Sequence, residues 1–600
     1  MKYFFWGFLF FAVAYLVPIA GRPLHRPDEF RYAEIPREMI ESGDFVTPRL
    51  LGAPYFEKPV LGYWLVAASL KVFGENRFAA RLPMAVAAGL TALLLALWIK
   101  RVSGDREWAL WAAFFYLATG LGWLMGTTAV LDGILCLFTT ATLLCVHQAV
   151  TTEKWNWERL IWLVLSGVTA GLGFMTKGFV AWAAPGSAIV AWLLWTRRWK
   201  AFLWLPWIPL AALAATVAPW ALEIHRAEPD FWCQFVVVEH LLRLSPKPDF
   251  WQRFVDLGDL KNFKPDSKAL HPQPFWYFVP ILLGTIFPAA FTVLPGAAAG
   301  RELWKKVWRN GAWRFALCGF LLPFCFFSAS EGKLATYILP CFPFASALLV
   351  YPALEALRAG RRGAQLTLKW SFDILGWLFM VAGAAAVAFG LALLPPAELR
   401  RFIPVLKEAA PFFILYGIVV AVGGFLLIRY RRAQLRRIAV FFGAFALTAA
   451  VSAAIPESIS DKMPERDLLA LANSGEFDPR TAHIFTYGQM GHSVAWTFRR
   501  SDTRLLFSAG EQDYGAERAR KDGRLLLWGY GRNGEFTRLV RDPARRREVI
   551  YVATTMEDQR GRYKLLENLK PRRADRGNMI VLIFDPPVTS PAPPPAPPAR

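Results

Sequence analysis

Charged side chains cluster at a few places in an otherwise apolar chain, and their types suit group transfer beside a membrane. Asp28, Glu29, Arg31, Glu34 and Arg37 follow the first apolar run closely. On a bland reading Asp28, after Pro27, caps an amphipathic helix whose charges face water. Asp132, within Thr127-Thr128-Ala129-Val130-Leu131-Asp132-Gly133, is predicted about one turn below the outer end of the fourth apolar run. A carboxylate inside a spanning helix costs ~2.5 to 3.5 kcal/mol on insertion scales, so it needs either a structural partner, such as a neighbouring arginine, or a task. Asp28 and Asp132 at one face could act as base or electrostatic stabiliser and as substrate-orienting group, an arrangement suited to glycosyl chemistry at an interface.

Glu57-Lys58-Pro59 precedes the apolar stretch from Val60. Lys58 alone could snorkel at headgroup level. Lys333 and Tyr337, in Glu331-Gly332-Lys333-Leu334-Ala335-Thr336-Tyr337, are predicted at the same face, where amines and a phenol would bind a lipid phosphate through charge-assisted hydrogen bonds. A long loop adds Glu239, His240 and Arg243, then His271. The two histidines with a glutamate, Glu57 or another, make a divalent ion a candidate, although the tight HExxH spacing is absent. Arg243 suits a phosphate, and His271 could simply anchor the loop.

The elements that must position these residues are membrane spans. The 600 residues are 55% hydrophobic and include 26 tryptophans, above soluble averages, which indicates a polytopic membrane protein. The net charge of +22 resides mostly in short links and in the C-terminal tail, so anionic lipid rather than nucleic acid is the expected partner. Of the six cysteines, only Cys233 falls in a loop, which argues against a disulfide framework. With ~20 residues per span, about thirteen spans are predicted near 3–21, 80–99, 107–125, 129–150, 159–176, 179–196, 201–220, 275–298, 312–329, 335–356, 369–394, 408–428 and 438–456. The first resembles a signal peptide but lacks a small-residue cleavage site, and we read it as a span.

With a cytoplasmic amino terminus, the basic links 100–106, 154–159, 197–200, 301–309, 358–362 and 429–437 all fall inside, as the positive-inside rule requires. The loops 22–79 and 221–274, the Thr176-Lys177-Gly178 link and the C-terminal tail then fall outside. Within the first loop, 32–41 and 60–73 suit helices in the interface plane. The expected organisation is a membrane domain over 1–456, an outer α/β domain over 457–585 with strand-like runs at 524–528, 549–552 and 579–584, and a disordered Pro-Ala tail over 586–600. No internal repeat, phosphate loop or dinucleotide fingerprint is present, which disfavours a nucleotide-driven pump.

The runs Asp28 to Met39, Ser42-Gly43-Asp44, Tyr55-Phe56-Glu57-Lys58-Pro59 with Tyr63-Trp64, Gly171 to Gly178, and Gly332-Lys333-Leu334 to Tyr337-Ile338-Leu339-Pro340 resemble a known group. They are similar to the GT-C membrane glycosyltransferases that use polyprenyl-phosphate sugars, and within these to the bacterial 4-amino-4-deoxy-L-arabinose lipid A transferases. An Asp-Glu pair after the first span is widespread in the class, whereas the extended run through Glu-Lys-Pro is characteristic of this family and its near relatives. Phe30 stands where the family usually has a small residue. The resemblance covers the membrane domain and is weak over the tail.

The resemblance implies an inner-membrane enzyme whose outer-facing cavity takes undecaprenyl phosphate-linked aminoarabinose and passes the sugar to a lipid A phosphate. It implies Asp28 as principal catalytic carboxylate and Asp132 as a second. Lys58, Arg31, Lys333 and Tyr337 are the implied phosphate contacts, with Arg243 and Lys177 as weaker candidates; Glu29, Glu57, His240 and His271 stay further site candidates on their residue types alone. No cofactor is required, because the polyprenyl phosphate is itself the leaving group. Direct inverting displacement is the preferred mechanism. Two other readings stay open: transfer of another polyprenyl-linked sugar (mannose, galacturonic acid or glucose) to protein, lipopolysaccharide core or a cell-wall polymer, and a lipid-sugar transporter without chemistry. The absence of paired halves weighs against transport.

Overall fold

The apolar runs become helices in the computed structural model, which describes residues 2–241, 272–391, 403–430, 434–460, 462–507, 515, 533–542, 544–545, 547–555 and 564–586. Two compact units emerge: residues 1–22, 44–47 and 56–455 form one, and residues 23–43, 48–55 and 456–600 form the other.

In the first unit, nine helices among the described residues are long and apolar enough to cross a membrane. Shorter apolar helices occupy Phe5–Gly21, Leu61–Phe73, Val180–Trp195 and Phe275–Ile286. Two predicted spans are interrupted. The third divides into helices Arg106–Leu117 and Gly120–Gly126. Thr119 is extended, and its hydroxyl accepts from the Gly122 N–H at 3.3 Å, so it restarts the helix as an N-cap where two glycines weaken helical propensity. The eighth is α-helical only over Phe278–Ile286, because Phe287 is extended before Pro288. Two 3₁₀ turns, Ala289–Thr292 and Leu294–Ala298, continue it.

Capping fixes other starts. Asn76, Asp105, Asn156 and Asn310 each accept a hydrogen bond from the backbone N–H three residues on. The basic links lie together at one end of the helices. Arg101 pairs with Glu158, Lys306 with Glu355, and Arg358 with both Asp105 and Glu107 at 2.6 Å. That shared end is what the positive-inside pattern demands. Helices Arg362–Gly390 and Ile403–Arg429 approach through glycines, since a Cβ on Gly383 would meet the Gly417 carbonyl at 2.5 Å.

The second unit contains a five-stranded sheet in the order β4 (Arg504–Leu505), β3 (His483–Thr486), β5 (Val549–Thr554), β7 (Met579–Phe584) and β6 (Arg572–Arg576). β3 runs parallel to β4 and β5, whereas β7 runs antiparallel to β5 and β6. Alternate residues of β5 and β7 enter opposite cores. Ile550, Val552, Val581 and Ile583 pack with Leu468, Leu471, Met490 and Val494, while Val549, Tyr551, Ile580 and Leu582 pack with Phe536 and Leu566. Both central strands are therefore buried on two faces and read as unbroken apolar runs. The strand predicted at 524–528 and most of the Pro-Ala tail lie outside the described residues.

This unit also includes parts of the first outer loop: helix Asp28–Ser42 and the hairpin of β1 (Arg49–Leu50) with β2 (Ala53–Pro54). The backbone N–H of Arg26 donates to the Lys462 carbonyl at 2.8 Å. Its guanidinium reaches the Tyr487 hydroxyl at 3.3 Å and the Met490 sulfur at 3.2 Å. A Cβ on Gly491 would meet the Leu505 and Leu51 side chains at 2.7 and 2.8 Å, so the glycine lets the hairpin tip pack closely here.

Candidate active site

Each unit presents its own set of charged side chains. In the second unit, Asp28 and Glu29 occupy the first turn of helix Asp28–Ser42, where the amide dipole favours anions. Asp28 forms an ion pair with Arg31; the carboxylate side chain is 48% exposed and the guanidinium 7%. Arg31 also donates to the Tyr55 hydroxyl at 2.9 Å and lies over the Tyr32 and Tyr55 rings. The result is an accessible carboxylate backed by a buried cation whose position a hairpin tyrosine sets. Glu29 accepts from the His25 N–H at 3.0 Å and so holds the entry to the helix.

The rest of the first predicted constellation is built into the fold. Arg37 donates twice to Glu34, at 2.8 and 2.6 Å, and pairs with Glu41 at 3.0 Å. Glu38 accepts from the N–H groups of Leu51 and Gly52 at 2.6 and 3.0 Å, the two left-handed residues of the β1–β2 turn. Burial raises the Glu38 carboxyl well above its ordinary range, with the neighbouring Glu34 adding to the effect.

In the first unit, the second predicted carboxylate is positioned differently from the expectation. Helix Asp132–Thr151 begins at Asp132 rather than a turn earlier, because residues before it are used in a turn in which Val130 N–H donates to the Thr128 carbonyl at 2.8 Å. Asp132 therefore sits at a helix N-terminus, which lowers the cost of a carboxylate there. Its partner is Lys177, at 2.7 Å from the last residue of helix Trp157–Lys177, not an arginine. The Lys177 ammonium also lies 5.1 Å from the centre of the Tyr337 ring, within cation–π range.

Gly178 follows with φ +81°, and a Cβ there would lie 2.6 Å from His240 Nε2 and 2.7 Å from Phe235. Read as the Nδ1–H tautomer, His240 donates to the Phe235 carbonyl at 2.8 Å, leaving Nε2 as the acceptor nitrogen. Glu239 lies 3.8 Å from Lys58, which also donates to the Glu57 carbonyl at 2.9 Å. Lys58, Glu239, His240, Lys177, Asp132 and Tyr337 thus form one continuous neighbourhood. It lies at the end of helix Trp157–Lys177 away from the basic links.

Lys333 is placed elsewhere in its bonding. It is buried, and its ammonium donates to the Gln273 carbonyl at 2.8 Å and to the Ser330 carbonyl. These bonds make it a tie between two loop segments and use two of the three ammonium N–H groups. Arg243 and His271 lie outside the described residues. Among the described residues, no group of three His, Cys, Asp or Glu side chains could hold a metal ion. Sequence reasoning missed Tyr55 as the partner of Arg31 and Glu38 as the clamp on the β1–β2 turn. Tyr55 was within reach, because it opens the run that contains Glu57 and Lys58. Nothing local marks Glu38, whose partners are backbone amides.

Residues 1–235 match the family described as dolichyl-phosphate-mannose-protein mannosyltransferase. A protein of Erwinia tasmaniensis described as undecaprenyl phosphate-alpha-4-amino-4-deoxy-L-arabinose arabinosyl transferase is 33% identical over 525 residues, 86% of this chain and 88% of that protein. The protein of the same description from Pectobacterium atrosepticum is 33% identical over 579 residues, 96% of each chain. Among solved structures, the crystal structure of ArnT from Cupriavidus metallidurans bound to undecaprenyl phosphate superposes with a TM-score of 0.74. It is 21% identical and covers 98% of this chain and 99% of its own, a likeness of fold.

Proposed function

The chain belongs to the undecaprenyl phosphate-α-4-amino-4-deoxy-L-arabinose arabinosyltransferase family of GT-C glycosyltransferases, and from that membership we propose that it moves 4-amino-4-deoxy-L-arabinose from undecaprenyl phosphate to a lipid A phosphate at the periplasmic face of the inner membrane. One observation carries the reading: the Lys177–Asp132 pair with Tyr337 against it and Lys58 nearby through Glu239 and His240. Cations at the headgroup end of a bundle are what a polyprenyl phosphate needs, both to be held and to leave.

In the proposed reaction an oxygen of the acceptor phosphate attacks the anomeric carbon while the bond from that carbon to the donor phosphate oxygen breaks, with inversion. The leaving undecaprenyl phosphate takes the bonding pair, and Lys58 and Lys177 stabilise its charge. A phosphate acceptor is already anionic near neutral pH, so removal of a proton by a base is not required. Asp28 is then assigned to the cationic amino group of the sugar, a role supported by its exposure and by the buried Arg31 that orients it.

The Asp28→Asn variant in reconstituted membranes is expected to lose sugar transfer while still binding the donor. Mass spectrometry of lipid A from cells with and without the protein is expected to show added aminoarabinose. Unchanged lipid A alongside a modified protein or polysaccharide would reject the acceptor. Full transfer by Asp28→Asn would reject the carboxylate's role.

A further inference from the structure

The opposite end of the helices, where the basic links gather, holds an arginine beside two indoles. Helix Gly311–Ala329 carries Arg314 in its first turn. The Arg314 guanidinium lies 5.9 Å from the centre of the Trp195 ring, and its buried Nε has no hydrogen-bond partner among the described residues. Among the described residues no carboxylate pairs with it, whereas Arg101, Lys306 and Arg358 at this end each meet one.

The surroundings are rigid and aromatic. Trp313 is buried, donates to the Leu348 carbonyl at 3.1 Å, and packs edge-on against Trp308 at 5.0 Å. Trp308 in turn lies 6.3 Å from Trp195. Trp195 and Trp308 are 42% and 48% exposed, as indoles are when one edge stays at the level of lipid headgroups. Helix Gly300–Arg309 buries Leu303 and Val307 and turns its charged residues outward, the pattern of a helix lying in an interface. Arg197 follows Trp195 closely in the chain, and Arg309 closes the helix that bears Trp308.

We propose that Arg314, with the Trp195 and Trp308 indoles as walls and Arg197 and Arg309 at the rim, binds the phosphate of an anionic phospholipid of the cytoplasmic leaflet. A half-buried guanidinium with no carboxylate partner among the described residues is satisfied by a phosphate oxygen, and the indoles flank the glycerol and upper acyl carbons. Charge complementarity selects an anionic headgroup over a zwitterionic one, because Arg197 and Arg309 add cations at the rim. The site is separate from the Lys58, Asp132 and Lys177 neighbourhood, which lies at the other end of helix Trp157–Lys177.

The test is native mass spectrometry of the full-length, delipidated protein titrated with phosphatidylglycerol, phosphatidylcholine or inorganic phosphate. The expected result is preferential retention of phosphatidylglycerol, weakened about fivefold in Arg314→Gln and to a smaller extent in Arg314→Lys, which keeps the charge but loses the planar stack. Arg226→Gln, remote from this end, is expected to bind as the unaltered chain does, and retained sugar transfer reports that each variant is folded. Equal retention of phosphatidylcholine, or unaltered phosphatidylglycerol binding by folded Arg314→Gln, would overturn the proposal. So would displacement of the lipid by inorganic phosphate at equal concentration, which would assign the pocket to a free anion.

Discussion

Breaking the Asp132–Lys177 pair separates its structural from its chemical role. The two groups are 2.7 Å apart, with side chains only 11% and 15% exposed, so solvent screens them little. At an effective dielectric of about 20 their attraction is about 6 kcal/mol before desolvation is subtracted. Removing one member strands the other, which typically costs about 3–5 kcal/mol. Asp132→Asn is expected near the lower end, because the Tyr337 ring still faces the Lys177 ammonium and such contacts contribute about 1–2 kcal/mol when desolvated. Lys177→Met leaves a carboxylate relieved, among the described residues, by the helix amides, worth about 0.5–1 kcal/mol, and is expected to be the more damaging. The double variant leaves no stranded charge, so it is expected to recover about 2–3 kcal/mol of coupling. The assay is denaturant unfolding of the four proteins in one detergent, alongside sugar transfer in liposomes. If the pair serves the reaction, the double variant regains stability yet transfers at least ~100-fold more slowly. Recovery of both stability and transfer would refute the assignment and leave the pair as a tie between two helices.

Three further outcomes follow from the geometry. Lys58→Met is expected to weaken binding of undecaprenyl phosphate by about tenfold or more, measured by lipid titration with intrinsic tryptophan fluorescence; unchanged affinity would remove Lys58 from the phosphate site. Gly178→Ala forces a Cβ to 2.6 Å from His240 and demands a left-handed φ of +81°, so transfer is expected to fall more than ~10-fold, and wild-type rates would show that His240 does not need its present place. For Glu38, burial places the folded carboxyl well above its ordinary value of 4.5, so the folded state binds the proton more readily than the unfolded. Its contribution to stability is full below that ordinary value and is lost as pH rises through the raised one. Glu38→Gln is expected to flatten this part of the profile, read from hydrogen exchange at Leu51 and Gly52, and an unaltered slope would assign it to another group.

Much of the architecture was legible in the chain, because a bilayer imposes rules that act residue by residue. Apolar length picked out nine of the thirteen predicted spans as long helices among the described residues, and lysine and arginine in short links marked ends that lie together, as the pairs of Arg358 with Asp105 and Glu107 show. The interruptions at Thr119 and Pro288 were less visible, since a window of average hydropathy passes over a cap or a proline without registering either. The runs around Asp28 and Lys58 stood out because charge is costly beside lipid and so marks a purpose.

Partnership is what the sequence left open and the tertiary structure decided. That Asp132 meets Lys177 rather than an arginine, that Lys333 turns to carbonyl groups, and that Glu38 and Tyr55 hold the hairpin and Arg31 all depend on contacts between segments far apart in the chain or bonded through backbone. The grouping of helix Asp28–Ser42 with the C-terminal sheet is of the same kind. Hydropathy and charge are properties of single residues and short windows and can be read along a line, whereas the choice among several eligible partners is made only by packing in three dimensions.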